Sequence, residues 1–379
     1  MKLKVATILG TRPEIIRLSR VMAQLDECVD HLIIHTGQNY DYELNEVFFS
    51  DLEVKKPSYF LGVDTSSLGA TVGGILLETE KVLASEKPDA VLILGDTNSA
   101  ISAYIARRMK IPVYHMEAGN RCFDRNVPEE TNRKMVDHLA DFNLVYTEHA
   151  RRNLLAEGLH PRRIYLTGSP MREVLNHYRE SIDSSNVLET LELISGEYFV
   201  VSIHREENVD NVDNLKELVS ALNQLASTYD CAVVVSTHPR TRKRLDAVKG
   251  LESDERIKWL KPFGFHDYNK LQQQAKCVVS DSGTIAEESS MLGFPAITPR
   301  YSIERPEALD TGAIMACGYN AKSILRCVSA SISQFSSATV QESFVPDDYK
   351  ITNTSQRVVN LILGTALLSN NWDGIRGNE

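Results

Sequence analysis

Short apolar runs rich in β-branched residues recur along the whole chain, each followed by a polar turn and then by a segment with helical periodicity. Runs that are apolar throughout are typical of strands buried on both faces, as in a parallel sheet covered by helices. One series of runs occupies each half of the chain, which indicates an α/β protein with two Rossmann-like, doubly wound domains. The predicted strands are 5–9, 32–35, 90–94, 113–115, 144–146 and 164–166, then 199–203, 232–235, 257–260, 277–279 and 296–297.

The domain boundary is expected around residues 170–195, because the most turn-rich stretch near the middle of the chain lies at 179–196. This gives an N-terminal domain over 1–170, which carries the candidate carboxylates, and a C-terminal domain over 171–354. Residues 355–379 form a last helical segment and a polar tail. That helix could pack on either domain, including back on the N-terminal one.

Charge and composition narrow the range of partners. The 379 residues include 41 Lys and Arg against 51 Asp and Glu, a formal net charge of −10, which makes nucleic acid and anionic lipid poor general partners. No apolar run approaches the roughly 20 residues that span a bilayer, and the first residues lack the apolar core of a signal peptide. The six cysteines form no close CxxC pair, so we expect reduced thiols in a cytoplasmic protein.

Polar, glycine-punctuated turns follow many of the predicted strands. Because ligands of open α/β sheets bind beyond the carboxyl ends of the strands, we expect these turns to face one crevice. Their coincidence indicates a ligand site more strongly than any single turn does. The turns are 10–14, 37–38, 95–97, 115–119, 167–170, 204–208, 237–239 and 280–284.

Three acidic positions in the first half are candidates for acid/base chemistry. Asp96 could instead be the N-cap of the helix that follows it. Glu117 directly follows a strand, so it is either paired with a buried arginine, Arg121 or Arg133, or functional. Glu129 lies in the first turn of a predicted helix, where an acidic residue also favours the helix dipole. Carboxylates that share one crevice would hold at least one proton near neutral pH, as acid/base catalysis requires.

The second half offers groups suited to a nucleotide. The small residues 282–284 open a helix and could present backbone N–H groups to a phosphate, or simply cap that helix. Glu288, one turn further, could accept ribose hydroxyls or lie on a solvated face. His204 could be a structural histidine or a diphosphate donor, and Arg12 in the first half can fork onto a diphosphate. Since no dinucleotide fingerprint, P-loop or metal-ligand set is present, we expect no cofactor and no metal.

These turns, in this order, resemble those of the non-hydrolysing UDP-N-acetylglucosamine 2-epimerase family. The resemblance implies the GT-B architecture, in which two Rossmann-like domains face a cleft, and a homodimer. It also implies the reaction, in which UDP is eliminated from the sugar to leave a glycal-like intermediate and is added back after C2 is reprotonated on the other face. The matching segments are 10–14, 95–97, 115–119, 128–133, 204–208, 281–283, 287–288 and 304–307.

Carried over by position, the resemblance assigns roles to individual residues. The acid/base carboxylates would be Asp96, Glu117 and Glu129, and His204 would attend the leaving diphosphate. The chemistry is consistent, because positive charge developing at C1 acidifies the C2 proton, so that a carboxylate can remove it. The implied substrate-binding residues are Arg12, Ser282 and Gly283 for phosphate oxygens, Glu288 for the ribose, Tyr268 for the uracil face, and Arg305.

Several positions depart from the family pattern. A family lysine is Arg17 here, and a glycine after the serine is Thr284; both are retained as substrate-binding candidates. The segment 120–123 replaces the usual Leu-Arg-Thr, and 39–42 differs where the ordinary branch binds an activating second substrate. These departures resemble the branch that converts UDP-2-acetamido-2,6-dideoxy-L-talose to UDP-N-acetyl-L-fucosamine in capsule and O-antigen pathways.

The expected partners are therefore a UDP-amino sugar and UDP, with no nucleic acid and no membrane. Interconversion of UDP-N-acetylglucosamine and UDP-N-acetylmannosamine is the alternative with the same chemistry, and a hydrolysing epimerase is a third. A GT-B glycosyltransferase would use the same nucleotide half, but it would need an acceptor groove rather than three carboxylates. A non-catalytic sugar-nucleotide sensor would leave those carboxylates unexplained.

Overall fold

Two compact α/β units make up the structure, a computed structural model that describes residues 2–37, 48–205, 209–248, 251–335 and 345–375. Unit 1 comprises Met1–His177 and Asp348–Glu379, and unit 2 comprises Tyr178–Asp347. Each unit contains one sheet in which all paired strands are parallel, which confirms the predicted fold class. Within the described ranges, no helix combines the length and the hydrophobicity needed to cross a bilayer.

The sheet of unit 1 has seven strands in the order β3-β2-β1-β4-β5-β6-β7. Its central strand β4 is apolar and buried along its whole length, and in β1 every residue after Lys4 is buried, as a sheet covered on both faces requires. The strand order reverses between β1 and β4, which creates the topological switch point where ligands bind in such folds. The strands are β1 Lys4–Leu9, β2 Asp30–His35, β3 Tyr59–Phe60, β4 Ala90–Leu94, β5 Val113–Met116, β6 Phe142–Val145 and β7 Ile164–Leu166.

The sheet of unit 2 has six strands in the order β10-β9-β8-β11-β12-β13, so its switch point lies between β8 and β11. The short strands β3 and β13 pair at the edges of their sheets and were not predicted from the sequence. The strands are β8 Tyr198–Ser202, β9 Ala232–Ser236, β10 Ile257–Leu260, β11 Cys277–Ser280, β12 Ala296–Thr298 and β13 Met315–Ala316.

Helices connect successive strands in both units. Those of unit 1 are α1 Arg12–Cys28, α2 Leu68–Glu86, α3 Ser102–Arg108, α4 Pro128–Leu139, α5 Glu148–Ala156, α6 Met171–His177, α15 Thr354–Thr365 and α16 Ser369–Trp372. Those of unit 2 are α7 Arg179–Asp183, α8 Val187–Thr190, α9 Val212–Tyr229, α10 Pro239–Ala247, α11 Phe265–Gln273, α12 Ile285–Leu292, α13 Pro306–Asp310 and α14 Ala321–Phe335.

The helix α15 belongs to unit 1 although the whole of unit 2 precedes it in the chain. It packs against α1 and buries Val358, Val359 and Ile362. Its Thr365 Oγ1 lies 2.6 Å from the hydroxyl oxygen of Tyr114 on β5. Unit 1 is therefore completed by a segment that is distant in sequence.

Candidate active site

The turns after β1 and β4 are joined at the switch point of unit 1 by one buried carboxyl group. Glu14, in the first turn of α1, accepts hydrogen bonds from the amides of Gly10 and Thr11 at 2.9 and 2.8 Å. It also accepts from the hydroxyl of Thr97, in the turn after β4, at 2.9 Å. Burial raises the pKa of Glu14 to about 7, although these hydrogen bonds oppose the change. The carboxyl group thus fixes the position of the Asp96–Thr97 turn relative to the start of α1.

Asp96 does not cap the following helix, which corrects one of the two interpretations of this residue. The cap is Thr97, whose hydroxyl accepts from the amide of Ser99. The carboxylate of Asp96 instead lies 2.6 Å from a guanidinium nitrogen of the buried Arg133. Its backbone carbonyl accepts a hydrogen bond from the amide side chain of Asn132 at 2.9 Å.

Glu117 adopts a left-handed backbone conformation, with φ 65°, directly after β5. This conformation is uncommon for a residue other than glycine and often marks a functional position. Its carboxylate pairs with Arg17 of α1, and the Asn120 side chain lies 3.4 Å away. Glu117 thus pairs with a buried arginine, as one of its two interpretations held, but the partner is Arg17 rather than Arg121 or Arg133. Arg121 binds Asp137 and Glu157, and Arg133 binds Asp96.

A buried polar network supports the Glu117 turn from behind. His115 lies with Nε2 2.8 Å from the carbonyl oxygen of Gly95 and with Nδ1 2.9 Å from Asp137. Asp137 also accepts from the amide of Gly119 and pairs with Arg121 at 2.7 Å. These contacts tie the residue before Asp96 and the residue two after Glu117 to α4. They explain how the strained backbone at Glu117 is held.

The two acidic residues at the start of α4 have different environments. Glu130 is buried and accepts hydrogen bonds from the Cys122 amide at 3.1 Å and from Arg133 at 3.2 Å. Burial acts to raise the pKa of Glu130, but the hydrogen bonds from Cys122 and the charge of Arg133 outweigh it and lower the pKa overall. Glu129 is half-buried, and its side chain makes no hydrogen bond or ion pair with any other residue that the structure describes. It is therefore open to a ligand.

Arg12, at the first position of α1, is partly exposed, and its guanidinium carbon lies 5.6 Å from the ring centre of Phe48. Phe123, in the loop that follows Glu117, is 75% exposed and has φ 55°. An exposed aromatic side chain on a strained backbone indicates a functional position rather than a core aromatic. Residues 39–42, the other segment that departs from the family pattern, lie outside the described residues.

In unit 2, the turns after β8 and β11 are also joined by one carboxylate at the switch point. Asp281 is fully buried and accepts from the amides of His204 and Arg205 at 3.1 and 3.0 Å. The Nδ1 atom of His204 lies 3.2 Å from Asp281, and 40% of the His204 side chain is exposed. His204 is thus held by a buried partner while part of its ring remains accessible, an arrangement suited to donation toward a ligand.

The turn 282–284 precedes α12 and has the features of a phosphate site. The Ser282 hydroxyl lies 2.9 Å from the Thr284 hydroxyl and accepts from the Thr284 amide. Among the described residues, the Gly283 amide has no hydrogen-bond acceptor, so it is available to a phosphate oxygen. Arg305 is buried, donates to the Gly283 carbonyl at 2.9 Å and pairs with Glu287 at 3.1 Å. Arg305 therefore braces this turn from behind.

Glu288 on α12 and Tyr268 on α11 lie close together in unit 2. Glu288 is buried and accepts from the Gln272 side chain at 2.9 Å, so the solvated-face interpretation is wrong. The Tyr268 hydroxyl hydrogen-bonds with Ser202 and Ser280, and burial and the nearby Glu288 raise its pKa. These bonds fix the position of the Tyr268 hydroxyl group.

Sequence reasoning missed Asp137 and gave no role of their own to Glu14 and Asp281, although both lie in turns that it singled out. It named Arg133 only as a possible partner of Glu117. Glu14 had a local signal, since an acidic residue three positions after the N-cap Thr11 forms a capping box. The partners of the others are distant in sequence, and no local pattern predicts them. Across the described ranges, no group of three His, Cys, Asp or Glu side chains is placed to hold a metal ion.

Comparisons with known proteins agree on one family. The family model described as UDP-N-acetylglucosamine 2-epimerase matches residues 23–363. The chain is similar to UDP-N-acetylglucosamine 2-epimerase of Methanocaldococcus jannaschii, with 38% identity over 334 residues that cover 86% of this chain and 91% of the relative. A structure of the Rickettsia bellii enzyme superposes with a TM-score of 0.92 at 43% identity, covering 98% of this chain and 99% of that one. A structure of the M. jannaschii enzyme with UDP-GlcNAc and UDP superposes with a TM-score of 0.87 at 34% identity, covering 96% and 100%.

Proposed function

The chain belongs to the UDP-N-acetylglucosamine 2-epimerase family and is a UDP-sugar 2-epimerase, an isomerase; we propose that its substrate is UDP-2-acetamido-2,6-dideoxy-L-talose. The product is then UDP-N-acetyl-L-fucosamine. The reaction inverts C2 by elimination and re-addition of UDP. The proposal assigns proton transfer at C2 to unit 1 and UDP binding to unit 2.

Asp96, Glu117 and Glu129 are the proposed acid/base groups. One carboxylate takes the C2 proton while the bond between C1 and the UDP oxygen breaks, which leaves a C1–C2 double bond. A second carboxyl group protonates C2 from the opposite face, and UDP attacks C1 to restore the glycosidic bond. Asp96 is held by an ion pair with Arg133, and Glu117 by an ion pair with Arg17.

The proposed UDP site uses groups that are already positioned. The Gly283 amide and the Ser282 hydroxyl bind phosphate oxygens, with Thr284 beside them, and His204 donates to the diphosphate as negative charge develops on it. Glu288 accepts the ribose hydroxyls, and the Tyr268 ring lies against uracil. Arg305 braces the phosphate turn. Arg12 and Arg17 are further proposed substrate-binding residues because of their positive charge.

Phe123 is the observation that carries the choice of sugar. A 6-deoxy sugar presents a methyl group where the common substrate has a hydroxymethyl, and the exposed Phe123 ring follows Glu117 by six positions in the loop. Apolar contact with a methyl group discriminates by about 10- to 200-fold. A pocket that hydrogen-bonds the hydroxymethyl group would instead reject the 6-deoxy sugar.

Initial rates on both UDP-sugars in heavy water test the proposal, with C2 deuterium uptake followed by proton NMR. We expect the 6-deoxy-L-sugar to react much faster, and Phe123→Ala to remove at least about tenfold of that preference. The matched control is Leu77→Ala, which deletes an exposed apolar side chain from α2. Equal or faster turnover of UDP-N-acetylglucosamine would refute the choice of sugar.

UDP-N-acetylglucosamine is the second candidate substrate, since the similar M. jannaschii protein is named UDP-N-acetylglucosamine 2-epimerase. This candidate predicts a sigmoidal substrate curve if a second substrate molecule activates the enzyme, as in the ordinary branch. It also predicts that Phe123→Ala leaves the ratio of the two rates unchanged.

A further inference from the structure

Helix α4 makes contact with Asp96 through two consecutive residues. The Asn132 side chain donates to the Asp96 backbone carbonyl at 2.9 Å, and an Arg133 nitrogen lies 2.6 Å from the Asp96 carboxylate. The same helix carries Glu129 in its first turn. Helix α4 thus contacts one of the three proposed acid/base residues, Asp96, and itself carries a second, Glu129.

The Arg133 guanidinium is itself fixed from a second side. Its Nη1 atom donates to Glu130 at 3.2 Å, and Glu130 accepts from the amide and the thiol of Cys122. Only 7% of the Arg133 side chain is exposed, against 21% for Asp96. The guanidinium is therefore held by buried partners, and it presents a nitrogen to a carboxylate that is partly open.

We propose that Arg133 is a positioning residue for catalysis: with Asn132, it sets the orientation of the Asp96 carboxylate relative to Glu129. A planar guanidinium holds a carboxylate in a defined plane, whereas an ammonium group acts as a point charge. A misplacement of about 1 Å in a catalytic group can cost about 10²-fold in rate. This inference rests on the proposed function, because it concerns the carboxylates that the proposal makes catalytic.

The test compares Arg133→Lys, Arg133→Ala and Asn132→Ala with wild type in kcat, KM, UDP affinity and C2 deuterium exchange. We expect Arg133→Lys to lower kcat and exchange about 10²-fold while UDP affinity stays unchanged. Arg133→Ala should lose more, and millimolar guanidinium should restore part of its rate by occupying the vacated site. Asn132→Ala should lower kcat by a smaller factor.

The matched control is Arg107→Lys. Arg107 pairs with the buried Asp141 just before the amino end of β6, whereas Asp96 follows the carboxyl end of β4. We expect that variant to keep the wild-type kcat, and guanidinium to leave it unaffected. Circular dichroism and the unfolding temperature of each variant report whether the fold is intact.

Three results would overturn the inference. One is an increase in KM with unchanged kcat, which would make Arg133 a binding residue. The second is loss of rate in proportion to loss of folded protein, without rescue by guanidinium. The third is wild-type kcat in both Arg133→Lys and Asn132→Ala, which also decides the matter if Arg133→Ala does not fold. Absence of C2 exchange in the wild type would instead refute the proposed function.

Discussion

Replacing Glu14 with glutamine should remove a pH-dependent loss of stability. The Glu14 side chain is buried, and burial raises its pKa to about 7 from an ordinary value of 4.5. Glutamine has nearly the same shape and cannot ionise. Its oxygen can accept from the Gly10 and Thr11 amides, and its NH2 group can donate to the Thr97 hydroxyl, so the bridge across the switch point is retained.

The sign follows from which state holds the proton. Below pH 4.5 both the folded and the unfolded chain hold it, and the carboxyl group does not affect the pH dependence. Between pH 4.5 and 7 only the folded chain holds it, so the free energy of unfolding falls as the pH rises. At 1.36 kcal/mol per pH unit, the loss approaches about 3 kcal/mol and is complete above pH 7.

The assay needs a signal from unit 1 alone. The two tryptophans are Trp259 in unit 2 and Trp372 in unit 1, so a Trp259→Phe background makes fluorescence report on Trp372. Urea unfolding at pH 4.5, 6, 7 and 8 gives the free energy for the background and for Glu14→Gln. Between pH 4.5 and 8 we expect the free energy of unfolding of Glu14→Gln to rise relative to that of the background by about 3 kcal/mol.

Glu130→Gln is the matched control, because Glu130 is equally buried in the same unit but has a lowered pKa. A lowered pKa means that the ionised form stabilises the fold and that this stabilisation is lost as the pH falls. Because that loss occurs below the ordinary value of 4.5, the Glu130→Gln difference curve should be nearly flat over the pH range in which the Glu14→Gln curve changes. Parallel curves for the background and Glu14→Gln, or the same slope for both variants, would refute the reasoning.

Three further predictions concern the site and its support. Each carboxylate replacement should lower kcat by about 10²- to 10⁴-fold and change UDP affinity little, as steady-state rates and UDP titration would show; these are Asp96→Asn, Glu117→Gln and Glu129→Gln. Gly119→Ala should destabilise the protein by more than Gly158→Ala in thermal unfolding. Both glycines have positive φ, but an added Cβ at Gly119 would lie 2.4 Å from a backbone oxygen of α5, whereas nothing lies within 4 Å at Gly158. Turnover should persist after treatment with a chelator and removal of nicotinamide, and recovery of a lost rate by Mg²⁺ or NAD would contradict this.

The fold class was predictable because buried parallel strands leave an apolar run that is visible locally. The run 90–94 coincides with β4, and the helix predicted to open at 282–284 is found as α12. The edge strands β3 and β13 could not be predicted, because a strand of two residues has no periodicity to detect. Their pairing depends on a neighbouring strand that is already in place.

The location of the candidate residues at strand ends was predictable, but their pairings were not. The sequence placed Asp96 and Glu117 at strand ends. The two arginines that it suggested as partners of Glu117 bind other carboxylates in the structure. The true partner, Arg17, is separated from Glu117 by 100 residues. Such pairings arise from three-dimensional packing of α1 against the sheet, and one sequence carries no local signal of them.

The discontinuity of unit 1 has a consequence for the newly made chain. A ribosome translates all of 178–347 before it reaches α15, so unit 2 can fold while unit 1 still lacks that helix. Until then the surface of α1 that α15 covers, and the Tyr114 hydroxyl that bonds with Thr365, remain uncovered. We therefore expect the second unit to mature first during translation, and chains stalled near residue 347 to be the ones that chaperones retain.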